Sequence, residues 1–136
     1  MKTYIGVKRI QAEPMERNGK PGYKVVYEPN GYESWSPKEA FERSYLQIER
    51  PDKLTPRDIE RFFQAGKCDV CTLGEKTTSV LFTAPTGFVL AQTSACVRPE
   101  NYDESLGASV CTERIQNKLW EHLGFVLQWA DGGLKK

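Results

Sequence analysis

The sequence predicts an α+β fold built from two small modules with antiparallel sheets. Three features indicate this class: short β-rich runs separated by turn residues near the start, two helix starts with capping residues, and a later hairpin pattern followed by a long helical pattern. The chain of 136 residues has the length of one ordinary domain or two small ones. A chain of this size buries about two-thirds of its unfolded surface, so it needs no disulfide or metal to fold.

The first module, residues 1–48, is predicted to be β-β-β-α. The runs TYIGVKRIQAE, GYKVVYE and YESW are rich in β-branched and aromatic residues, and NGKPG and PNG separate them as turns. SPKEAFERSYL predicts a helix whose capping box is formed by Ser36 and Glu39, with a proline at the first helical position. Phe41 and Tyr45 are four residues apart and should share the helix face that packs on the sheet.

A segment rich in proline and charge, residues 49–55, is predicted to link the two modules. The second module, residues 56–130, is predicted to be α-β-β-α-β. Its first helix opens on the pair Thr55-Pro56 in a capping pattern and carries an apolar face. Residues 131–136 are predicted to be a disordered tail.

The rest of the second module is predicted as a hairpin, a long helix and a last strand. TTSVLFTA and GFVLAQTSACV flank the turn at Pro85-Thr86. The helical pattern runs from about Tyr102 to His122, with Asn101 as its N-cap and Gly124 as its stop. FVLQW is the predicted last strand. The apolar stripe of the helix is Leu106, Val110, Ile115, Leu119 and Leu123.

The charge balance limits the kinds of partner. The chain has 19 Lys and Arg against 18 Asp and Glu, so no basic excess favours binding to duplex DNA or RNA. No apolar run approaches the ~20 residues of a membrane span, and the start lacks a signal-peptide segment. We therefore expect no membrane partner and a cytoplasmic location, in which the four cysteines stay reduced.

The cysteines and the single histidine are candidates for a metal or catalytic site. Cys68 and Cys71 have the Cys-x-x-Cys spacing of a zinc knuckle, but a closed site needs four ligands, and a second Cys-x-x-Cys pair is missing. Cys96, Cys111 and His122 could complete it only in principle. Cys111 lies among apolar helix positions and is expected to be a small buried hydrophobe.

No catalytic motif is present in the sequence. Paired carboxylates, a Gly-rich phosphate loop and a serine nucleophile elbow are all absent. The sequence therefore predicts a protein that is not an enzyme and that holds neither metal nor cofactor.

Six aromatic, polar or cationic residues are candidates for ligand binding. Aromatic rings stack on nucleobases, and a helix N-terminus beside a cation binds phosphate. The candidates are Arg98, Asn101 and Tyr102 in the second module and Tyr32, Trp35 and Lys38 in the first. In the competing interpretation, Trp35 is a core residue, Arg98 pairs with Glu100 or Glu104, and Asn101 only caps the helix. Asp103 and Glu104 also compete with any anion for the helix start.

Most of residues 54–128 resembles a family of short tailed-phage proteins named after gene products forty-nine and sixty-six of two phages. The most specific motif is Ser-Ala-Cys-Val-Arg-Pro-Glu-Asn-Tyr-Asp at residues 94–103. It is accompanied by a Thr-Pro helix start at 54–60, a Gly-Phe strand at 87–90 and a Lys-Leu-Trp close at 118–127. One departure is Gln92-Thr93, where the family usually has Gly-Glu.

The first module resembles another phage unit, through Tyr4-Ile5-Gly6, Ala12-Glu13-Pro14-Met15 and Gly31-Tyr32-x-Ser34-Trp35-Ser36-Pro37-Lys38. Similar units are often found ahead of domains like the type-two Thoeris anti-defence sponge, which sequesters a nucleotide signal of bacterial immunity. The two resemblances together imply a phage accessory protein that acts in the host cytoplasm.

These observations lead to one main functional hypothesis. The chain is predicted to be an anti-defence protein that sequesters a small nucleotide-like immune signal without cleaving it, as a homo-oligomer. The alternative is a protein–protein adaptor or inhibitor that acts on a host protein. A small zinc-dependent domain is the third hypothesis.

Overall fold

The computed structural model describes residues 1–135, which contain two three-stranded antiparallel sheets and three α-helices. This confirms the predicted α+β class. The chain divides into two units: residues 1–53 together with those from Phe125 onward, and Leu54–Gly124. None of the helices in the described part of the chain combines the length and apolar character that a membrane span requires.

The first unit contains the predicted β-β-β-α order. Its elements are β1 (Ile10–Pro14), β2 (Gly22–Tyr27), β3 (Glu33–Pro37) and α1 (Lys38–Ser44). β2 is the central strand and pairs antiparallel with both neighbours. The first strand begins at Ile10, although its β-rich sequence starts at Thr3, because β2 offers a partner only as far as the Ile10–Tyr27 pair.

The capping box predicted for α1 is wrong. The N-cap position is Pro37, and no side chain forms a capping hydrogen bond there. Ser36 is still part of β3, where it pairs with Tyr23 of β2. The strand therefore runs directly into the helix, and the Ser36 hydroxyl is not placed to cap it.

Aromatic side chains hold α1 against the sheet. The Phe41 ring stacks on Tyr23 with 4.0 Å between centroids and contacts the Tyr45 ring at 4.9 Å. This confirms that Phe41 and Tyr45 share the packing face. The Tyr23 hydroxyl donates to Glu42 Oε2 over 2.8 Å, and this hydrogen bond raises the pKa of Tyr23.

Arg9 links segments of the first unit that are distant in sequence. Its Nη1 donates to the Pro51 carbonyl at 2.7 Å and to Asp131 Oδ1 at 3.0 Å, and its Nε donates to Glu28 Oε2 at 3.2 Å. Within residues 131–135 the backbone turns back on itself, since Gly133 N donates to the Trp129 carbonyl. Lys136, the last residue of the predicted tail, lies outside the described residues.

The second unit contains one strand that the sequence did not predict. Its elements are α2 (Pro56–Gln64), β4 (Lys67–Leu73), β5 (Thr77–Thr83), β6 (Val89–Ala95), a 3₁₀ turn (Pro99–Asn101) and α3 (Glu104–Ala130), the last of which continues beyond this unit. The sheet order is β4-β5-β6, with β5 at its centre. The predicted hairpin between β5 and β6 is confirmed. The sequence pattern does not predict β4, because all of its side chains are exposed and KCDVCTL therefore carries no burial signal.

The predicted end of the long helix is wrong. α3 passes Gly124 without interruption, and the residues predicted as a last strand, 125–129, are helical. A single glycine inside a helix costs only about 1 kcal/mol, which packing and hydrogen bonds along 27 residues offset.

The start of α2 is as predicted. Thr55 Oγ1 accepts from the Asp58 backbone N–H at 3.3 Å, and Asp58 Oδ2 accepts from the Thr55 N–H at 2.9 Å. The helix follows at Pro56 and orients its apolar face toward the sheet. Phe63 stacks on Phe82 of β5 with 5.1 Å between ring centroids.

The core of the second unit lies between one face of β5 and the helices α2 and α3. The buried residues are Ile59 and Phe62 of α2, Val80 and Phe82 of β5, Ala84, and Cys111, Ile115 and Leu119 of α3. Ile115, Leu119 and the burial of Cys111 were predicted. Leu106 was predicted for the same stripe but is 64% exposed, because the packed face runs through Gly107, Ala108 and Cys111 instead.

Of the two glycines in α3, Gly107 is the one that lies close to β5. A Cβ atom there would lie 2.1 Å from Thr78 Oγ1 and 2.7 Å from Thr78 Cβ. Thr78 is fully buried in the central strand and cannot move aside freely. The absence of a side chain at Gly107 therefore allows the helix to lie on the sheet.

We expect Gly107→Ala to lower the free energy of unfolding by about 1–3 kcal/mol, because the new methyl group overpacks the contact with Thr78. Gly124→Ala in the same helix is the matched control, since nothing lies within 4 Å of a Cβ there. The control should gain up to about 1 kcal/mol from helix propensity. Urea unfolding measures both, and equal stabilisation of the two variants would contradict the close approach.

Candidate functional site

Arg98 lies at the joint between β6 and the 3₁₀ turn. Its Nη1 is 3.8 Å from Glu100 Oε1, with 73% and 65% of the two side chains exposed. This is the pairing that the competing interpretation of Arg98 expected. An exposed ion pair of this kind contributes about 0–1 kcal/mol, so the guanidinium can exchange Glu100 for another anion at small cost.

The N-terminus of α3 is capped by Asp103, and the prediction that Asn101 caps it is wrong. Asp103 Oδ1 accepts from the Leu106 N–H at 3.2 Å, whereas Asn101 lies in the 3₁₀ turn and its N–H donates to the Arg98 carbonyl. The 3₁₀ turn carries the chain away from β6, so the helix begins only at Glu104. Two carboxylates now occupy the positive end of the helix dipole and oppose an anion there.

The Tyr102 hydroxyl is the centre of a chain of hydrogen bonds. It lies 2.8 Å from Thr78 Oγ1 and 2.7 Å from Thr72 Oγ1, and Thr72 Oγ1 donates to Glu104 Oε2 at 2.5 Å. A consistent direction runs from Thr78 through Tyr102 and Thr72 to the Glu104 carboxylate, with each hydroxyl donating once. Tyr102 thus links the start of α3 to β4 and β5. These hydrogen bonds occupy the hydroxyl group of a residue that was predicted to bind a ligand.

Trp35 is held inside the first unit. Its Nε1 donates to the Met15 carbonyl at 2.7 Å, and the Arg17 guanidinium lies 5.8 Å from its ring centroid. A Cβ at Gly22 would come within 2.4 Å of the indole, so the ring lies directly on β2. The side chain is only half-exposed, which fits a packing role.

Tyr32 is the exposed aromatic residue of the candidate set. Its side chain is 64% exposed, and its ring stacks on Tyr27 with 5.9 Å between centroids. The Lys8 ammonium lies 4.4 Å from the centroid of the Tyr27 ring. The loop is fixed by Asn30, whose Oδ1 accepts from the Tyr32 N–H at 3.1 Å. Lys38 is exposed at the start of α1.

The six predicted residues are therefore divided between the units. Tyr32, Trp35 and Lys38 belong to the first, and Arg98, Asn101 and Tyr102 to the second. Of the six, Arg98, Asn101, Tyr32 and Lys38 are exposed and could contact a ligand.

Cys68 and Cys71 point to opposite faces of the sheet. Cys68 pairs with the buried Phe82 and Cys71 with Ser79, and side chains three apart on a strand lie on different faces. They cannot hold one metal ion together, and no group of three or more potential ligands occurs within residues 1–135. Partial burial, with a contribution from the Asp69 charge, raises the pKa of the Cys68 thiol.

His122 makes contacts that separate it from the cysteines. Its Nδ1 lies 2.6 Å from the Lys118 carbonyl, and its ring packs 5.7 Å from that of Phe88. Cys96 donates to the Arg98 carbonyl, and Cys111 is buried against β5. In the described chain no hydrogen bond pairs the histidine with either thiol.

The face of β4-β5-β6 opposite the core is uncovered, and we call it the open face. It carries Lys67, Asp69, Cys71, Leu73, Thr77, Ser79, Leu81, Thr83, Val89, Ala91, Thr93 and Ala95. Its only charges are Lys67 and Asp69, which pair with each other at 3.9 Å. Leu73, Leu81 and Val89 are 50%, 41% and 47% exposed. The sequence pattern does not reveal this surface, because β4 carries no hydrophobic period.

The comparison with protein families agrees with the resemblance seen in the sequence. The model of the Phage protein (N4 Gp49/phage Sf6 gene 66) family matches residues 48–130. The chain belongs to this family. No curated protein and no solved structure matches the chain. The phage family model covers all strands and helices of the second unit, so the open face and the Tyr102 hydrogen bonds lie inside it.

We expect Tyr102→Phe to lower the free energy of unfolding by about 1–3 kcal/mol, because it leaves the buried Thr78 hydroxyl without its partner. Tyr32→Phe is the control, since the exposed Tyr32 hydroxyl makes no hydrogen bond within residues 1–135. Urea unfolding should show the loss for Tyr102 alone. Equal stability of both variants would show that the hydroxyl chain does not hold the helix start.

Proposed function

We propose that this member of the phage family is an accessory protein that acts without catalysis in the host cytoplasm, by binding a host protein through the open face. One observation carries the proposal: the open face is a nearly uncharged sheet surface with half-exposed Leu73, Leu81 and Val89. An exposed surface with several large apolar side chains and few charges is typical of protein interaction sites.

The chemistry of the open face indicates the class of partner. A nucleic acid would require a basic surface, but the single lysine of this face is already paired with Asp69. Threonine, serine and alanine surround the larger apolar side chains and let another protein surface approach closely. The expected partner is therefore a protein with an apolar patch of low charge.

The contacts of the nucleophilic side chains support a role without catalysis. Cys111 is buried, the pKa of Cys68 is raised by burial, and His122 is engaged with Lys118 and Phe88. A nucleophile needs a base within hydrogen-bond reach, and these groups are not arranged in that way.

We expect Leu81→Lys to abolish capture of the partner from a lysate of host cells by the tagged chain, because it places a charge at the centre of the open face. Leu106→Lys is the control, since Leu106 is 64% exposed on α3 and lies outside this face. A host protein retained by the wild type and by the control, but not by Leu81→Lys, supports the proposal. The purified pair should then show at least a tenfold weaker affinity for Leu81→Lys, or about 1.4 kcal/mol. Equal capture by all three proteins would overturn it.

A second candidate is the predicted sequestration of a nucleotide-like immune signal, and the arrangement around Tyr32 favours it. An exposed aromatic ring stacked on Tyr27, with the Lys8 ammonium over the second ring, offers a platform for a base and a charge for a phosphate. The start of α3 supports this function less, because Asp103 and Glu104 carry negative charge there.

We expect calorimetric titration with cyclic dinucleotides, cyclic trinucleotides and ADP-ribose derivatives to show binding that is lost in Tyr32→Ala and kept in Tyr4→Ala. Loss of a stacked base costs about 1–3 kcal/mol, or roughly tenfold to a hundredfold in affinity. Tyr4 is a matched control because it is 83% exposed. Absence of binding at micromolar concentration would exclude this candidate function. It would not affect the proposal that the open face binds a host protein.

A further inference from the structure

β4 is an edge strand of the second sheet. It pairs with β5 along its whole length, and no other strand within residues 1–135 pairs with it. All of its side chains are exposed, and it contains neither proline nor a bulge. Edge strands of this kind present a regular row of unpaired backbone groups and readily add another strand.

The hydrogen-bond pattern of the sheet shows which backbone groups face outward. Cys96 N donates to the Lys76 carbonyl, and Ala84 N donates to the Phe88 carbonyl, so the even-numbered residues of β5 bond to β6. Opposed residues of an antiparallel pair alternate between bonded and non-bonded pairs. The odd-numbered residues of β5 therefore bond to β4, and on β4 the backbone groups of Cys68, Val70 and Thr72 point away from the sheet.

The other edge of the same sheet is already blocked. By the same alternation the Thr93 carbonyl of β6 points outward, and it accepts from Arg114 Nη1 of α3 at 2.9 Å. Among the described residues no side chain bonds in this way to the outward groups of β4. The free edge of the sheet is therefore β4.

We infer that β4 pairs antiparallel with β4 of a second copy of this chain, about a two-fold axis at Val70. In this register Val70 faces its own copy, and Cys68 faces Thr72 of the second copy. All three outward-facing residues then pair, and each pair exchanges two hydrogen bonds, which makes about six in total. Two-fold symmetry uses the same surface on both copies, so the contact closes on itself as a dimer.

The charges on β4 favour this register over the next one along the strand. With the axis at Asp69, two aspartates would lie directly opposite each other, and fewer outward residues would pair. With the axis at Val70, Asp69 lies opposite Cys71 and Lys67 opposite Leu73, so no like charges are opposed. The two aspartates are then diagonal neighbours, and each retains its own Lys67 partner.

Pairing at this edge also joins two copies of the open face into one six-stranded surface. That surface doubles the apolar area offered to a partner, but the self-association does not depend on any partner being bound. The contact lies at β4, whereas Leu81 belongs to the central strand β5.

The first test is the mass of the full chain in solution by light scattering, from low to high micromolar concentration. We expect a mass of twice 15.5 kDa for the wild type and of 15.5 kDa for Val70→Pro, because proline removes an outward N–H that β5 does not use. Ala91→Pro is the matched control on the blocked edge, and Leu81→Lys is the control for the open face; both should remain dimeric. A monomeric wild type, or a dimer that Val70→Pro leaves intact, would overturn the inference.

A second test reads the register directly and does not require Val70→Pro to fold. Asp69→Cys should form a disulfide with Cys71 of the second copy under mild oxidation, because a non-bonded pair holds Cα atoms about 4.5 Å apart. A non-reducing gel should show the band at twice the chain mass, and adding Cys71→Ser should remove it. Failure of Asp69→Cys to cross-link, or cross-linking that persists with Cys71→Ser, would overturn the register.

Discussion

The packing of α3 on the buried face of β5 is the contact on which the second unit depends. Thr78, Val80 and Phe82 are fully buried under the helices, and this requires the helix backbone to come close at Gly107. The Tyr102 hydroxyl chain then fixes where the helix begins. Burial of one sheet face supplies most of the favourable free energy, while the hydroxyl chain and Gly107 select one position of the helix.

This arrangement also leaves one face of the sheet exposed. Both α2 and α3 cover the same face of β4-β5-β6, so the helices of this unit leave the opposite face uncovered. A soluble monomer would normally place charges there, but the open face has only Lys67 and Asp69. The outward backbone of β4 lies along the margin of this face, so the proposed partner binding and the inferred self-association would use neighbouring surfaces with different chemistry.

The sequence predicted those parts of the fold that depend on local chemistry. The capping pair at Thr55 and the aromatic contact of Phe41 could be predicted because spacing along the chain determines them. β4 could not, because an edge strand with exposed side chains has no hydrophobic period to detect. The predicted strand at 125–129 failed for a related reason, since a short apolar run fits a strand or a helix equally well.

Prediction from the sequence is limited in the same way for single side chains among the candidate ligand-binding residues. Tyr102 and Tyr32 are alike in sequence terms, each an aromatic residue near a turn and a helix start. One is held by two threonine hydroxyls, whereas the other is 64% exposed over a second ring. The difference between the two tyrosines depends on the register of strands that are distant in sequence. Thr72 of β4 and Thr78 of β5 lie opposite each other, and Tyr102 lies against both. Ligand binding by Tyr102 would require breaking the contact that positions α3, so a ligand site on this chain is better sought at residues whose polar atoms the fold does not use.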